Sequence, residues 1–230
     1  DGLETSIIER GSWPLGRQVD ATGGTLLKQK LEAQKLNVLT EKNTDSFVGT
    51  DKVEKIHFTD GSFIDVDMIV ISAGIRARDE LAREAGLAVG PMGGITVNDN
   101  METSHPDIYA IGECAYVRGM IWGLVGPCYS MAEVLVERLM GIDASFKGAD
   151  LSTKLKLIGT EVASFGDATG LTPDCVSLFF ENALTGIYNR INVTADGKHF
   201  LGGILVGDVS DYTILHQTYI NKVKLREPPA

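Results

Sequence analysis

The residues best suited to chemistry sit together at Gly112-Glu113. They belong to the stretch Thr103-Ser104-His105-Pro106-Asp107-Ile108-Tyr109-Ala110-Ile111-Gly112-Glu113-Cys114-Ala115. A polar turn ending at Pro106 leads into the apolar residues 108–111, which read as a short strand that stops at a glycine followed by a carboxylate. A glycine without a Cβ lets the backbone come close to a ligand. Glu113 adds two acceptor oxygens at a strand end, which is where open α/β sheets place their ligands. Fixed acceptors there suit a polyol whose hydroxyls donate. The same residues also read as a strand ending in a turn with a solvated glutamate, and residue types alone leave both readings open.

A second carboxylate stands in a similar position. Residues 5–8 form a β-branched and apolar run followed by Glu9 and Arg10, which reads as a short strand with an acidic end. In a dinucleotide-binding unit such a residue accepts hydrogen bonds from ribose hydroxyls, and a neighbouring cation tolerates an extra phosphate. The alternative is a charged strand end facing water. The expected G-x-G-x-x-G turn would lie about 20 residues upstream, before the chain begins. Further on, the glycine- and aromatic-rich residues 116–129 lead into a helix expected at 130–140, with Met131, Val134, Leu135 and Leu139 as its apolar stripe. The start of that helix offers free N–H groups and a partial positive charge.

Bulk properties narrow the class. The chain has 230 residues, 43% hydrophobic and 23% charged, an ordinary globular balance. Its net charge of −10 disfavours nucleic acid or an anionic membrane as main partner. No apolar run reaches the roughly 18 residues needed to span a bilayer, and the start lacks the pattern of a signal peptide, so a cytoplasmic location is expected. Cys114, Cys128 and Cys175 are far apart in sequence, without a C-x-x-C pair, so no metal or iron–sulfur site is expected within the chain. Each cysteine reads as a small buried residue. His57 and His105 read as surface or turn residues.

The elements that position these groups follow from pattern. A helix from Asp20, capped by Asp20 or Thr22, carries Leu26, Leu27, Leu31 and Ala33 on one face, while Gly23 and Gly24 weaken its first turn. Short strands are expected at 38–39, 47–48, 52–58 and 63–66, the last two joined by the hairpin signal Asp60-Gly61. Residues 68–72 are continuously apolar, the pattern of a strand buried on both faces. A short helix at 81–85 ends at Gly86, and a strand at 95–97 precedes the Gly112-Glu113 stretch. Beyond residue 145 come a strand at 161–165, three antiparallel strands at 175–181, 187–193 and 200–206, and a last helix to about Lys222. The ending, Arg226-Glu227-Pro228-Pro229-Ala230, looks like a linker.

The stretch from Thr103 to Ala115 resembles the second FAD-binding signature of the FAD-dependent pyridine nucleotide-disulfide oxidoreductase superfamily, T-x-x-P-x-I-Y-A-I-G-D-C-A, with Glu113 at the acidic position. Ala73-Gly74-Ile75-Arg76 is similar to the superfamily's turn from the NAD domain back to the FAD domain. Three further segments look like those of assimilatory NAD(P)H-dependent nitrite reductase large subunits. They are Trp122-Gly123-Leu124-Val125-Gly126-Pro127, residues 146–156, and Gly202-Gly203-Ile204-Leu205-Val206-Gly207-Asp208. Where family members commonly have glycine before the Tyr of the P-x-Y step, this chain has Cys128.

The resemblance implies an α/β fold: partial Rossmann-like FAD/NAD(P)-binding units, then a small α+β domain with an antiparallel meander. It implies three parts: residues 1–73 as the later half of an NAD(P)-binding domain, 74–145 as the later half of an FAD-binding domain, and 146–230 as an α+β interface domain. It makes the chain an internal piece of a larger flavoprotein that takes hydride from NAD(P)H onto FAD. Electrons would then pass to iron–sulfur and siroheme centres located elsewhere in the parent. Cofactor-binding residues on this basis are Glu9, Gly74, Arg76, Gly112, Glu113, Leu124 and Val125. No side chain is assigned an acid or base role, because the cofactor does the hydride chemistry. The implied partners are the rest of the parent flavoprotein, a nicotinamide dinucleotide and a homodimer mate. The competing readings are an NADH oxidase or a rubredoxin or ferredoxin reductase, and a non-catalytic docking or assembly unit.

Overall fold

A computed structural model of the chain describes residues 2–226; the proline-rich ending at 227–230 lies outside the described residues. In chain order the elements are β1 (Thr5–Ile8), α1 (Ala21–Ala33), β2 (Leu36–Leu39), β3 (Thr44–Val48), β4 (Lys55–Phe58), β5 (Phe63–Asp65), α2 (Glu80–Glu84) and β6 (Ile95–Thr96). A 3-10 turn at Gly112–Cys114 follows, then β7 (Ala115–Val117), β8 (Met120–Ile121), α3 (Val125–Leu139), β9 (Thr153–Leu157) and β10 (Thr160–Gly166). The chain ends with β11 (Val176–Asn182), β12 (Ile187–Val193), β13 (Phe200–Val206) and α4 (Tyr212–Ile220). These elements form two compact units. One joins the residues up to Val70 with those from Ser152 onward, and the other is Ile71–Leu151.

In the first unit, β1 and β2 pair in parallel from Thr5↔Leu36 to Ile8↔Leu39, and α1 connects them, a βαβ unit. Asp20 caps α1 by accepting the Gly23 N–H at 3.0 Å. Leu27 and Leu31, four residues apart and so on one face, are buried. They meet the sheet β11-β12-β13-β10-β9, in which every neighbouring pair is antiparallel. Alternation along its strands sorts the two faces. Val162, Ile204, Val206 and Tyr188 pack with α1, whereas Ala163, Phe165 and Leu205 pack with Val209 and the α4 residues Tyr212, Leu215 and Tyr219. Each fully buried Val, Leu, Ile or Phe among them contributes about 1.5–3 kcal/mol by leaving water. Gly24 is needed for close approach, because a Cβ there would collide with the Trp13 ring. The β3-β4-β5 meander turns at Asp60-Gly61 as expected, with Gly61 at φ +84°.

In the second unit, β6 and β7 are parallel and β7 and β8 antiparallel. Their core is Val97, Met101, Ala110, Ala115, Val117, Trp122, Met131 and Phe146. Trp122 meets Phe146 edge to face at 5.2 Å between centroids and donates its indole N–H to the Val117 carbonyl at 3.2 Å.

Several expectations need correction. Residues 68–72 are no buried strand: they are irregular, and Met68 and Val70 are 79% and 83% exposed. Among the described residues no strand pairs with them, so their apolar side chains have nothing to bury against. Residues 108–111 are not a regular strand either. A single bridge, Glu102↔Tyr109, and hydrogen bonds from Thr103 to the Ile108 carbonyl hold them as one side of a closed loop. α3 begins at Val125, five residues early, since Pro127 fits in a first turn whose N–H groups have no intrahelical partner. Leu139, counted in its apolar stripe, is exposed, while Met131 is fully buried. The sheet has five strands because β9, where Lys154 and Lys156 alternate with apolar residues, adds an edge.

Candidate functional site

Four of the seven candidate residues meet around the start of α3. Gly112 takes φ +79°, a backbone that favours glycine, and opens the 3-10 turn that carries Glu113. That turn lies on the first turns of α3. The Gly112 N–H points at the Met131 sulfur, 3.3 Å away, and a Cβ on Gly112 would lie 3.7 Å from the Cys128 sulfur. Glu113 is exposed.

Leu124 is the N-cap of α3, extended at φ −133° and ψ 151°, and no side chain caps the helix. The N–H groups of Leu124, Val125 and Gly126 therefore have no acceptor within the helix, and Pro127 has no N–H to offer. Open space surrounds Gly126. Such a helix start attracts developing negative charge by about 0.3–1 kcal/mol at an exposed position. Gly126 escaped the sequence reading only because the helix was expected to begin later.

Gly74 and Arg76 lie on the irregular exposed segment that opens the second unit, Gly74 at φ +90°. The side chain of Ile75 between them sits 2.7 Å from where a Cβ on Gly123 would be. This contact places the Gly74–Arg76 turn beside the loop that enters α3. Arg76 also helps hold the Asp79 carboxyl below its usual range. The larger causes there are the two-pronged hydrogen bonding by Arg83, at 2.9 and 3.0 Å, and the Gly94 N–H at 2.7 Å.

Glu9 belongs to the other unit. It is half-buried at the end of β1, and its Oε1 accepts the Gly11 N–H at 2.6 Å. Its backbone N–H donates to the Leu39 carbonyl, continuing the β1–β2 pairing by one residue. The first unit also has a hollow of about 390 Å³ lined by Thr22, Thr25, Gln29 and Glu181 among others, which contains none of the candidate residues.

Sequence reasoning did not find a polar network that ties α1 to the antiparallel sheet. Asp20 Oδ2 accepts from the Tyr188 hydroxyl at 2.6 Å and from Arg190 Nη1 at 3.0 Å. Arg190 also donates to Asn192 Oδ1 and Ser177 Oγ, both at 3.1 Å. The fully buried Asn192 donates to the carbonyls of Asp167 and Ala168. Burial pushes the Asp20 carboxyl up, but the bonds from Tyr188, Gly23 and Arg190 outweigh it and hold the group below its ordinary value. Burial and the Asp20 carboxylate together raise the Tyr188 hydroxyl well above its ordinary value. With Asp20 and Tyr188 168 positions apart in sequence, no local pattern signals the pair.

The three cysteines are free thiols and half-buried rather than fully buried. Among the described residues no group of three or more His, Cys, Asp or Glu side chains is placed to hold a metal ion. Among them, too, no helix is long and apolar enough to cross a membrane.

Comparison with known proteins puts this geometry in context. Residues 152–223 match the rubredoxin NAD+ reductase C-terminal domain. The chain is 46% identical over 230 residues to the nitrite reductase (NADH) large subunit of Escherichia coli strain K12, which covers 99% of this chain and 27% of that protein. It is 45% identical over 228 residues to the NAD(P)H nitrite reductase large subunit of Klebsiella oxytoca, covering 99% of this chain and 24% of that one. The chain thus spans about a quarter of the length of these relatives. Its fold is similar to that of an FAD-dependent pyridine nucleotide-disulphide oxidoreductase from Desulfovibrio vulgaris. There the TM-score is 0.78 at 23% identity, over 97% of this chain and 59% of that one. Residues 2–132, more than half of the chain, match the pyridine nucleotide-disulphide oxidoreductase family, and to that family the chain belongs.

Proposed function

We propose that the chain is the FAD- and NAD(P)H-handling section of an NAD(P)H-dependent nitrite reductase. The observation that carries this reading is the uncapped start of α3 with the Gly112–Cys114 turn packed on its first turns and the Glu113 carboxylate exposed beside it. These residues fit a flavin. Glu113 has the acceptor oxygens for sugar-alcohol hydroxyls, and Gly112 lets a ligand approach the backbone. The free N–H groups of Leu124, Val125 and Gly126 stabilise negative charge on a ring system. Gly74 and Arg76 line the approach from the other side of Gly123, where Arg76 supplies a cation for phosphate. Glu9 holds ribose hydroxyls of the nicotinamide dinucleotide in the βαβ unit. When bound, FAD would supply the chemistry itself, accepting hydride from NAD(P)H and handing electrons on toward iron–sulfur and siroheme centres in the rest of the parent protein.

On this reading, residues 1–73, 74–145 and 146–230 are respectively the later half of an NAD(P) domain, the later half of an FAD domain, and an α+β interface domain. The partners are the remainder of the parent flavoprotein and a second copy of it, working in the cytoplasm. Pyrophosphate grip in such proteins comes mostly from glycine turns at helix starts. Flavin titration should therefore show weak binding by this chain alone. Binding should tighten at least about ten-fold, or ~1.4 kcal/mol, once the chain is extended upstream by the dinucleotide-binding segment of its relatives. Equal affinity in the two forms refutes the reading.

The match of residues 152–223 to the rubredoxin NAD+ reductase C-terminal domain favours a second reading, in which the acceptor is a small iron–sulfur protein. Product analysis with the complete polypeptide separates the two: ammonia from nitrite in the first, reduced rubredoxin in the second, or peroxide if oxygen is the acceptor.

A further inference from the structure

Two thiols flank the turn that carries Glu113. The Cys114 sulfur lies 3.3 Å from the Ile111 carbonyl oxygen. The Cys128 sulfur, from the first turn and a half of α3, lies 3.7 Å from the Cβ position of Gly112. Both sulfurs thus lie against the same short stretch of backbone, residues 111–112, and Gly112 has no side chain to separate them. Both residues are half-buried and free, while Cys175 is in the other compact unit. The Ser-like size of a thiol would satisfy packing at either place alone. One thiol lies against Ile111 and the other against Gly112, adjacent residues of a single turn, so the two can act together as a dithiol.

We infer that Cys114 and Cys128 form a redox-closable pair, which on oxidation links the Gly112–Cys114 turn to α3 through a disulfide. The chemistry is thiol–disulfide exchange with a small disulfide such as oxidised glutathione. One cysteine thiolate attacks a glutathione sulfur and releases the first glutathione thiolate. The second cysteine thiolate then attacks the mixed disulfide and releases another. Two protein thiols are oxidised, one small disulfide is reduced, and two protons leave with the glutathione pair. Burial pushes the Cys114 thiol up, which makes Cys114 the poorer first attacker. The consequence for flavin rests on the function proposed above: the link would fix Glu113 relative to the N–H groups at the start of α3.

The test is equilibration of the whole chain with a glutathione redox buffer, acid quench and peptide mapping by mass spectrometry. The expected result is a linked Cys114–Cys128 peptide, lost on reduction, with Cys175 free or singly glutathionylated. Cys128→Ser should abolish the link and leave Cys114 with at most a mixed disulfide, and a thermal melt of this near-isosteric variant confirms that it folds. Separate glutathione adducts on Cys114 and Cys128 with no linked peptide, in a folded chain, overturn the inference. Mapping needs no flavin. A linked pair in a protein that fails the flavin titration therefore keeps this inference and removes the functional one.

Discussion

At the scale of single residues, the proposed flavin site rests on Glu113 and on the glycines around it. Glu113 is exposed, so its side chain is available without cost to the core. Glu113→Ala should leave the melting temperature unchanged within about a degree, because an exposed substitution away from caps and pairs usually shifts stability by less than ~0.5 kcal/mol. In the upstream-extended protein the same change should weaken flavin binding by about 1.5–3 kcal/mol, the usual worth of a hydrogen bond to a charged acceptor. An unchanged titration would remove Glu113 from the site. Gly24→Ala is the contrasting case: no ligand is involved, but a Cβ would enter the Trp13 ring, and overpacking of this kind costs about 1–3 kcal/mol in a denaturant melt. The Gly112-Glu113 pair stood out as a candidate because a glycine followed by a carboxylate is a local pattern, although the strand expected before it is a loop held by one bridge. Asp20, Tyr188 and Arg190 did not stand out, since their meaning arises only when distant strands bring them together.

Elements were legible where their period is clean. β12 and β13 run over the residues expected for them, and Leu27 and Leu31 gave α1 its inward face. The start of α3 was hidden because Gly126-Pro127 looks like loop chemistry, although proline is at home in a first helical turn. The β7–β8 hairpin was missed because it turns at Arg118-Gly119, with both residues at positive φ, rather than at an Asn-Gly or Asp-Gly step. The apolar run at 68–72 signalled a wish for burial but not the presence of a neighbour to provide it.

The cap of α1 yields a prediction at this scale. Asp20→Ala removes both the N-cap and the partner of Arg190, a loss of about 3 kcal/mol. Asp20→Asn keeps a capping oxygen and should lose less. Because the Asp20 carboxyl is held below its ordinary value, its stabilisation is fully present above the unfolded-state value near pH ~4 and drains away as pH falls further, through the folded-state value. Thermal melts should be level from about pH 7 to 5 and fall below about pH 4. In Asp20→Asn the fall should be shallower, and an identical acid profile would show that Asp20 does not drive it.

At the scale of the whole molecule, the two compact units meet in the chain at 70/71 and 151/152. The first of these junctions runs through the exposed segment that holds Met68, Val70, Ile71, Ile75 and Arg76. Limited trypsin digestion should therefore cut first at Arg76 or Arg78, both exposed, before any site within the five-stranded sheet. First cuts at Arg190, which is engaged by Asp20, Ser177 and Asn192, would contradict this order. The Asp20–Arg190 clamp has a temporal corollary as well. A growing polypeptide emerges from its amino end, so Asp20 waits for some 170 further residues before its partner exists. Until the last strands arrive, the α1 leucines have Ile7, Trp13, Val19 and Val38 among their final neighbours to pack against, and Val162, Tyr188, Ile204 and Val206 complete their cover late.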